Sequence, residues 1–192
     1  MTLFEQISHL RTFGATQRFH AERIVGSKET VFHHSASTAL ILITVLGEEC
    51  SRELIKAALM HDLEEGITGD VPAPVKWSLD GALEKLEKQI LEFYGICYPD
   101  LSEHDKDLLK AADFLDAVFT CLEQRLMGNQ FVDSIYDNYK RYAEETGIAA
   151  VDFRIKKIWD SIQLAYAFLR TCAPNPTDGF SRFWQANATH HK

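Results

Sequence analysis

Basic charge is what this 192-residue sequence has little of: 20 lysines and arginines stand against 28 acids, a net charge of −8. That balance excludes the broad cationic face that duplex nucleic acid requires, so no nucleic-acid polymer is expected as a partner. Cysteine is scarce as well. Cys50, Cys97, Cys121 and Cys172 lie far apart and form no C-x-x-C pair. This argues against a zinc finger and fits free thiols in a reducing compartment better than a disulfide frame. No apolar run approaches the ~20 residues of a bilayer-crossing helix. The opening Met1-Thr2-Leu3-Phe4-Glu5 also lacks the basic start and long apolar stretch of a signal peptide. A cytoplasmic protein without a membrane partner is expected. Strand signals are weak: no Asn-Gly or Asp-Gly hairpin separates two alternating runs, and there is no fixed-period repeat or low-complexity tract.

What is present is an ordinary globular composition, 46% hydrophobic and 25% charged, in a length that suits one domain of about 100–200 residues. The periodicity is helical nearly throughout. Leu3, Ile7 and Leu10 make a first apolar stripe, and the run from His34 to Leu46 ends at Gly47, a natural C-cap. Ser51 can cap a helix in which Leu54, Ile55, Ala58, Leu59 and Asp62 recur towards Gly66. Asp80 opens another, through Leu83 and Ile90 to Gly95, and Ser102 with Asp105 opens a long one reaching Met127. Two more follow, over about 130–146 and 151–171. The expected fold is all-α, a single bundle of six to seven helices over 1–172, with a tail over 173–192 that carries Pro174 and Pro176. Two loops interrupt the pattern, 14–32 and 67–79. In the second, Pro72 and Pro74 argue against a regular helix.

The chemistry concentrates around those loops. His61 and Asp62 sit in the apolar run Ala57-Ala58-Leu59-Met60, where an imidazole and a carboxylate are costly unless paired. Glu65 follows four residues after His61, on the same helical face. His34 stands near the start of the preceding helix, and Asp113 lies in the apolar stretch Leu108-Leu109-Lys110-Ala111-Ala112. Two imidazoles and two carboxylates form a mixed nitrogen and oxygen set suited to a divalent transition metal. They are equally compatible with ordinary capped or salt-bridged pairs, and the spacings of 27 and 51 residues form no motif by themselves. Lys76 and Lys110 are either solvated lysines or local positive charge beside the acids, with Lys110 three residues before Asp113 on one face. Asp116, one turn beyond Asp113, is either a helix-face acid or a group behind the ligands.

The order of one His, then His-Asp, then a distant Asp resembles the HD superfamily of metal-dependent phosphohydrolases. More narrowly, His61-Asp62-x-x-Glu65 followed by Thr68-Gly69-Asp70-Val71-Pro72-Ala73-Pro74-Val75-Lys76 resembles the bacterial 5′-deoxynucleotidase branch. Leu109-Lys110-Ala111-Ala112-Asp113, Cys121-Leu122-Glu123 with Gly128-Asn129, and Arg18 followed by an aromatic residue fit the same branch, over roughly residues 1–170. The resemblance implies His34, His61, Asp62 and Asp113 as ligands of a divalent metal (Co, Mn or Zn, with Mg as an alternative). It implies Glu65 as the acid/base at the attacking water, Asp70 beside it in the catalytic set, and Arg18, Phe19, Asp70, Lys76 and Lys110 around the nucleotide. His34 is preferred to His33 because the family's first ligand commonly precedes a small hydroxyl residue, here Ser35. His33 is then expected to face solvent or a neighbour.

Two departures stand out. His33 replaces the family's usual Glu before the first His, and Phe19 replaces its Trp, which bears on selection of deoxy against ribo sugars. The resemblance implies hydrolysis of a (deoxy)nucleotide 5′-phosphate to nucleoside and phosphate. The alternatives are a phage-type hydrolase that removes the phosphates of dATP and, more distantly, a nucleotide sensor without turnover. Relatives form symmetric assemblies, and the aromatic residues of 130–170 suggest a homo-oligomer.

Overall fold

The computed structural model describes residues 1–79 and 81–172; Asp80 as a helix opener and the tail prolines lie outside them. Among the described residues there are helices and no strands, as the periodicity predicts. They are α1 (Leu3–Phe13), α2 (Val31–Leu46), α3 (Arg52–Met60), α4 (Glu65–Thr68), α5 (Ala73–Ser78), α6 (Ala82–Phe93), α7 (Glu103–Leu126), α8 (Asp133–Thr146) and α9 (Phe153–Cys172). Seven run nine residues or longer; α4 and α5 are short, of four and six residues.

Local chemistry sets most boundaries. Thr30, Ser51 and Ser102 each accept a hydrogen bond from the backbone N–H three residues on, satisfying a donor that a helix start leaves unpaired. Gly47 ends α2 at φ 57°, a conformation that costs a side-chain-bearing residue more than glycine. Helix α3 stops at Met60, short of the expected run to Gly66. Beyond it the chain tightens into i→i+3 bonds, Leu63 N–H to the Met60 carbonyl (3.3 Å) and Glu65 N–H to Asp62 (3.1 Å). The expectation that Pro72 and Pro74 bar a helix is corrected. Pro72 is the N-cap of α5 and Pro74 falls in its first turn, where no intrahelical N–H bond is needed.

The core lies between the α2–α7 pair and the flanking α3 and α9. Leu42, Leu54, Leu115, Val118 and Ile155 are almost fully buried there. Trp159 meets Phe114 edge to face at 5.1 Å, and Tyr136 stacks on Tyr166 at 3.6 Å. Those aromatics, which their helical spacing suits to the core or to an interface, lie inside the bundle. The apolar stripe of α1 does not: Leu3 and Ile7 are exposed.

The stretch Val31–Glu49, 19 residues with mean hydropathy 1.2, is by length and composition apolar enough to cross a bilayer. That corrects the expectation that no such run exists. Here it is the central helix: Val31, Ala39, Leu42, Val45 and Leu46 are buried against its neighbours.

Candidate metal centre and nucleotide cavity

Three elements converge on one point. Helix α2 brings His34 in its first turn, fully buried. The end of α3 brings His61 and Asp62, and the middle of α7 brings Asp113. His34 Nε2 lies 3.1 Å from His61 Nε2, 3.0 Å from Asp113 Oδ1 and 3.4 Å from Asp62 Oδ2. His61 Nε2 lies 3.5 Å from Asp62 Oδ2 and 3.9 Å from Asp113 Oδ1. Donors bonded at about 2.0–2.1 Å to one tetrahedral or octahedral ion sit about 2.9–3.4 Å apart, so most of these spacings match a shared cation.

The hydrogen bonds around the cluster strengthen that fit. Because α3 stops, the carbonyls of its last turn lack helical partners, and Ala58 O accepts from His61 Nδ1 at 2.8 Å. Asp116 Oδ2 accepts from His34 Nδ1 at 2.6 Å. With both Nδ1 protons committed outward, two Nε2 lone pairs and two carboxylate oxygens point at one another. Arg18, which donates to Asp62 Oδ2, meets part of the demand of such a set for positive charge, and a metal ion or extra protons would meet the rest. The electrostatics show the same demand. Burial opposes charge on His34, but hydrogen bonding to Asp113 and Asp116 pushes its imidazole up to about 10. Burial likewise opposes charge on Asp113, yet His34 and His61 hold its carboxyl well below the usual range.

Glu65 opens α4, buried to 1% exposure, and its Oε1 accepts from Lys76 Nζ at 2.9 Å. Burial and the neighbouring Asp62 push its carboxyl up to about 7, with Lys76 and Arg18 pulling the other way. Next to it, burial pushes Glu64 up to about 8.

Arg18 reaches the cluster through a loop closed by a single antiparallel bridge, Gln17 to Thr30. Its Nη1 donates to Asp62 Oδ2 at 2.6 Å, and its Nε lies 3.8 Å from Glu29 Oε2. Phe19 follows at φ 52°, the left-handed region that an aromatic residue rarely adopts, and its backbone N–H donates to Asp70 Oδ2 at 2.7 Å. His20 Nδ1 lies 4.0 Å from the same oxygen.

Arg18, Phe19, His20 and Asp70 line a cavity of about 470 Å³ whose walls also include Lys110, Tyr139 and Tyr142 and, from the cluster and its neighbour, Asp62, Asp113 and Glu65. That volume is in the range of small-ligand sites. A second cavity, about 360 Å³, is lined by His61, Tyr98 and Leu109 and shares Lys110 and Asp113 with the first. Lys110 Nζ lies 5.8 Å from the Tyr142 ring centre.

All ten residues singled out in the sequence therefore lie in or around this cavity and cluster. Two cations differ from expectation in their partners. Arg18 and Lys76, offered to a phosphate, each already hold a carboxylate. His33 is exposed and binds Glu29 Oε1 at 2.9 Å, as its expected outward direction implies. Sequence reasoning missed Glu29, which has no pattern beyond standing four residues before His33, and left Asp116 open.

Comparison with known proteins agrees with the motifs. A family model described as 5′-deoxynucleotidase YfbR-like matches residues 3–162. The 5′-deoxynucleotidase YfbR of Escherichia coli O1:K1 is 30% identical over 147 residues, 64% of this chain and 73% of that protein. The protein of the same name from Escherichia coli O127:H6 matches to the same extent. The crystal structure of the PH0347 protein from Pyrococcus horikoshii OT3 covers 85% of this chain and 99% of its own, with a TM-score of 0.66 and 23% identity, a likeness of fold. The chain belongs to the YfbR-like 5′-deoxynucleotidase family of HD-domain phosphohydrolases, and it is a nucleotide phosphohydrolase.

Proposed function

We propose that the protein is a metal-dependent 5′-deoxynucleotidase that converts a deoxynucleoside 5′-monophosphate and water to a deoxynucleoside and phosphate. The observation that carries this reading is the four-acceptor cluster of His34, His61, Asp62 and Asp113 at the edge of a nucleotide-sized cavity. These four residues would hold a divalent ion, Co, Mn or Zn, with Mg as the alternative. When bound, the ion supplies Lewis acidity, which eases the ionisation of water and draws charge from the phosphoryl oxygens.

The chain's own groups carry the rest. Glu65 orients the attacking water and takes its proton, a task suited to a carboxylate pushed up to about 7. Oxygen bonds to phosphorus, the bond to O5′ breaks, and the proton passes to O5′ as the nucleoside leaves. Arg18 balances the charge of Asp62 at the phosphate end, and Lys110 adds positive charge at the cavity wall. Phe19 and Asp70 form the sugar wall, with Asp70 available to a hydroxyl while it pins the Phe19 backbone. Tyr139 and Tyr142 offer apolar faces to the base.

The dATP reading loses one support, since Lys76, one of the two lysines offered to a longer phosphate chain, is committed to Glu65. The test is phosphate release from dNMPs, NMPs and dATP by metal-stripped protein with each ion added in turn. Release from dNMPs in preference to NMPs is expected despite Phe19; turnover confined to dATP overturns the substrate assignment. Glu65→Ala should lower turnover by about 10²–10⁴-fold while nucleotide and metal still bind. Unchanged turnover in that variant removes Glu65 from the chemistry, and a wild type that binds nucleotide without turnover leaves only a sensor.

A further inference from the structure

We propose that Asp116 is the positioning residue of the metal centre, fixing the tautomer and orientation of His34 from behind. This rests on the reading of His34 as a ligand and concerns a residue outside the four-donor set. Asp116 sits one turn beyond Asp113 on α7, so a single helix supplies both a carboxylate facing the cluster and one facing the back of His34. It is 4% exposed, and His34 is 0% exposed. A buried carboxylate is costly unless it is paired. Its pairing is the 2.6 Å contact from His34 Nδ1 to its Oδ2.

Glu29, His34 and Asp116 also lie close enough together to suggest a second cation site, with all three donor atoms within 4.8 Å. The distance decides against that reading. Two donors of one ion stand about 2.9–3.4 Å apart, whereas 2.6 Å is the length of a charge-assisted hydrogen bond. Nδ1 therefore carries the proton and Nε2 keeps its lone pair for the cluster. The two histidines are held in different ways. His61 is oriented by the neutral carbonyl of Ala58, His34 by a full negative charge, which makes its imidazole the more basic donor.

The experiment is Co(II) binding to metal-stripped wild type, Asp116→Asn and Asp116→Ala, read by competition with a chelator and by the visible absorption of the bound cobalt. Asp116→Ala should bind Co(II) about 10–100-fold more weakly, with an altered cobalt spectrum. Asp116→Asn should fall between the two, since its amide oxygen still accepts from Nδ1 but carries no charge. A carboxylate that merely ties α7 to α2 would change thermal stability and leave affinity and spectrum as they are. Both variants binding Co(II) within twofold of wild type, with the same spectrum, overturns the assignment. If Asp116→Ala does not fold, Asp116→Asn decides alone: weaker binding supports the role and unchanged binding overturns it. A wild type that takes up no Co(II) overturns the metal-site reading itself, an outcome separate from two variants that match a cobalt-binding wild type.

Discussion

His33 and His34 are neighbours in sequence with opposite surroundings, one exposed against Glu29, the other sealed between Asp113 and Asp116. Successive helical residues diverge by about 100°, so one face of α2 could take only one of them. At this scale the sequence was legible within a continuous helix, as with Lys110 and Asp113, which line the same cavities, but not for His61 and Glu65, whose shared helical face is lost where α3 stops at Met60. It was silent where the partner stands 82 residues away, as Asp116 does from His34. The raised carboxyls give two pH-dependent expectations. Glu65 must be ionised to take a proton, so kcat/KM should rise with pH up to about 7, and lower still with a cation bound nearby. Lys76 pulls that carboxyl down, so Lys76→Gln should move the rising limb to higher pH; a limb that stays put separates Lys76 from Glu65. Glu64 acts on stability. Its folded carboxyl is pushed up to about 8 from 4.5, so the native state keeps a proton that the unfolded chain releases, and stability falls as pH rises through that window. In metal-stripped protein, Glu64→Gln should raise the unfolding free energy at pH 8 by about 1–3 kcal/mol and far less at pH 5. Equal effects at the two pH values contradict it.

At the scale of the element, caps were readable and helix ends inside motifs were not. Ser51 and Ser102 cap where a hydroxyl before an apolar run should. The early stop of α3 was hidden, because apolar spacing continues through Leu63 while the backbone has already turned. That stop frees the Ala58 carbonyl for His61, so the misread boundary lies at the site. Helix α5 forms because its prolines occupy the one turn that tolerates them. The seat of α4 makes a sharper test. A Cβ on Gly66 would come within 2.3 Å of Phe13 Cβ and 2.5 Å of its Cα, so α1 backs directly onto the turn carrying Glu65. Gly66→Ala should cost about 1–3 kcal/mol through overpacking and lower Tm accordingly. An unchanged Tm would mean that α1 does not pack there.

For the whole molecule, the all-α bundle followed from helical periodicity and the near absence of hairpin signals. The gathering of the four candidate donors from three helices did not, since only the fold brings α2, α3 and α7 to one point. Removing a cation from a cluster of acceptors leaves their repulsion uncompensated. The metal-stripped protein should therefore melt lower than the loaded form, with Tm climbing as free metal rises above its Kd; a Tm indifferent to metal contradicts a site of this kind. The self-association expected from the sequence has fewer residues left to use. With Trp159, Tyr136 and Tyr166 inside the core, Leu164 and Phe168 remain exposed on α9. Sedimentation should show a dimer or a higher species that Leu164→Glu weakens, and a monomeric wild type refutes it.

The most direct measurement is phosphate release from a deoxynucleoside monophosphate during titration of Co(II) into metal-stripped protein, for wild type, His34→Ala and Asp62→Ala. Wild type should regain turnover in proportion to bound metal, while both variants lose tight binding and turnover together. Turnover that persists without metal, or that survives loss of either ligand at equal metal, contradicts a hydrolase centred on these four residues.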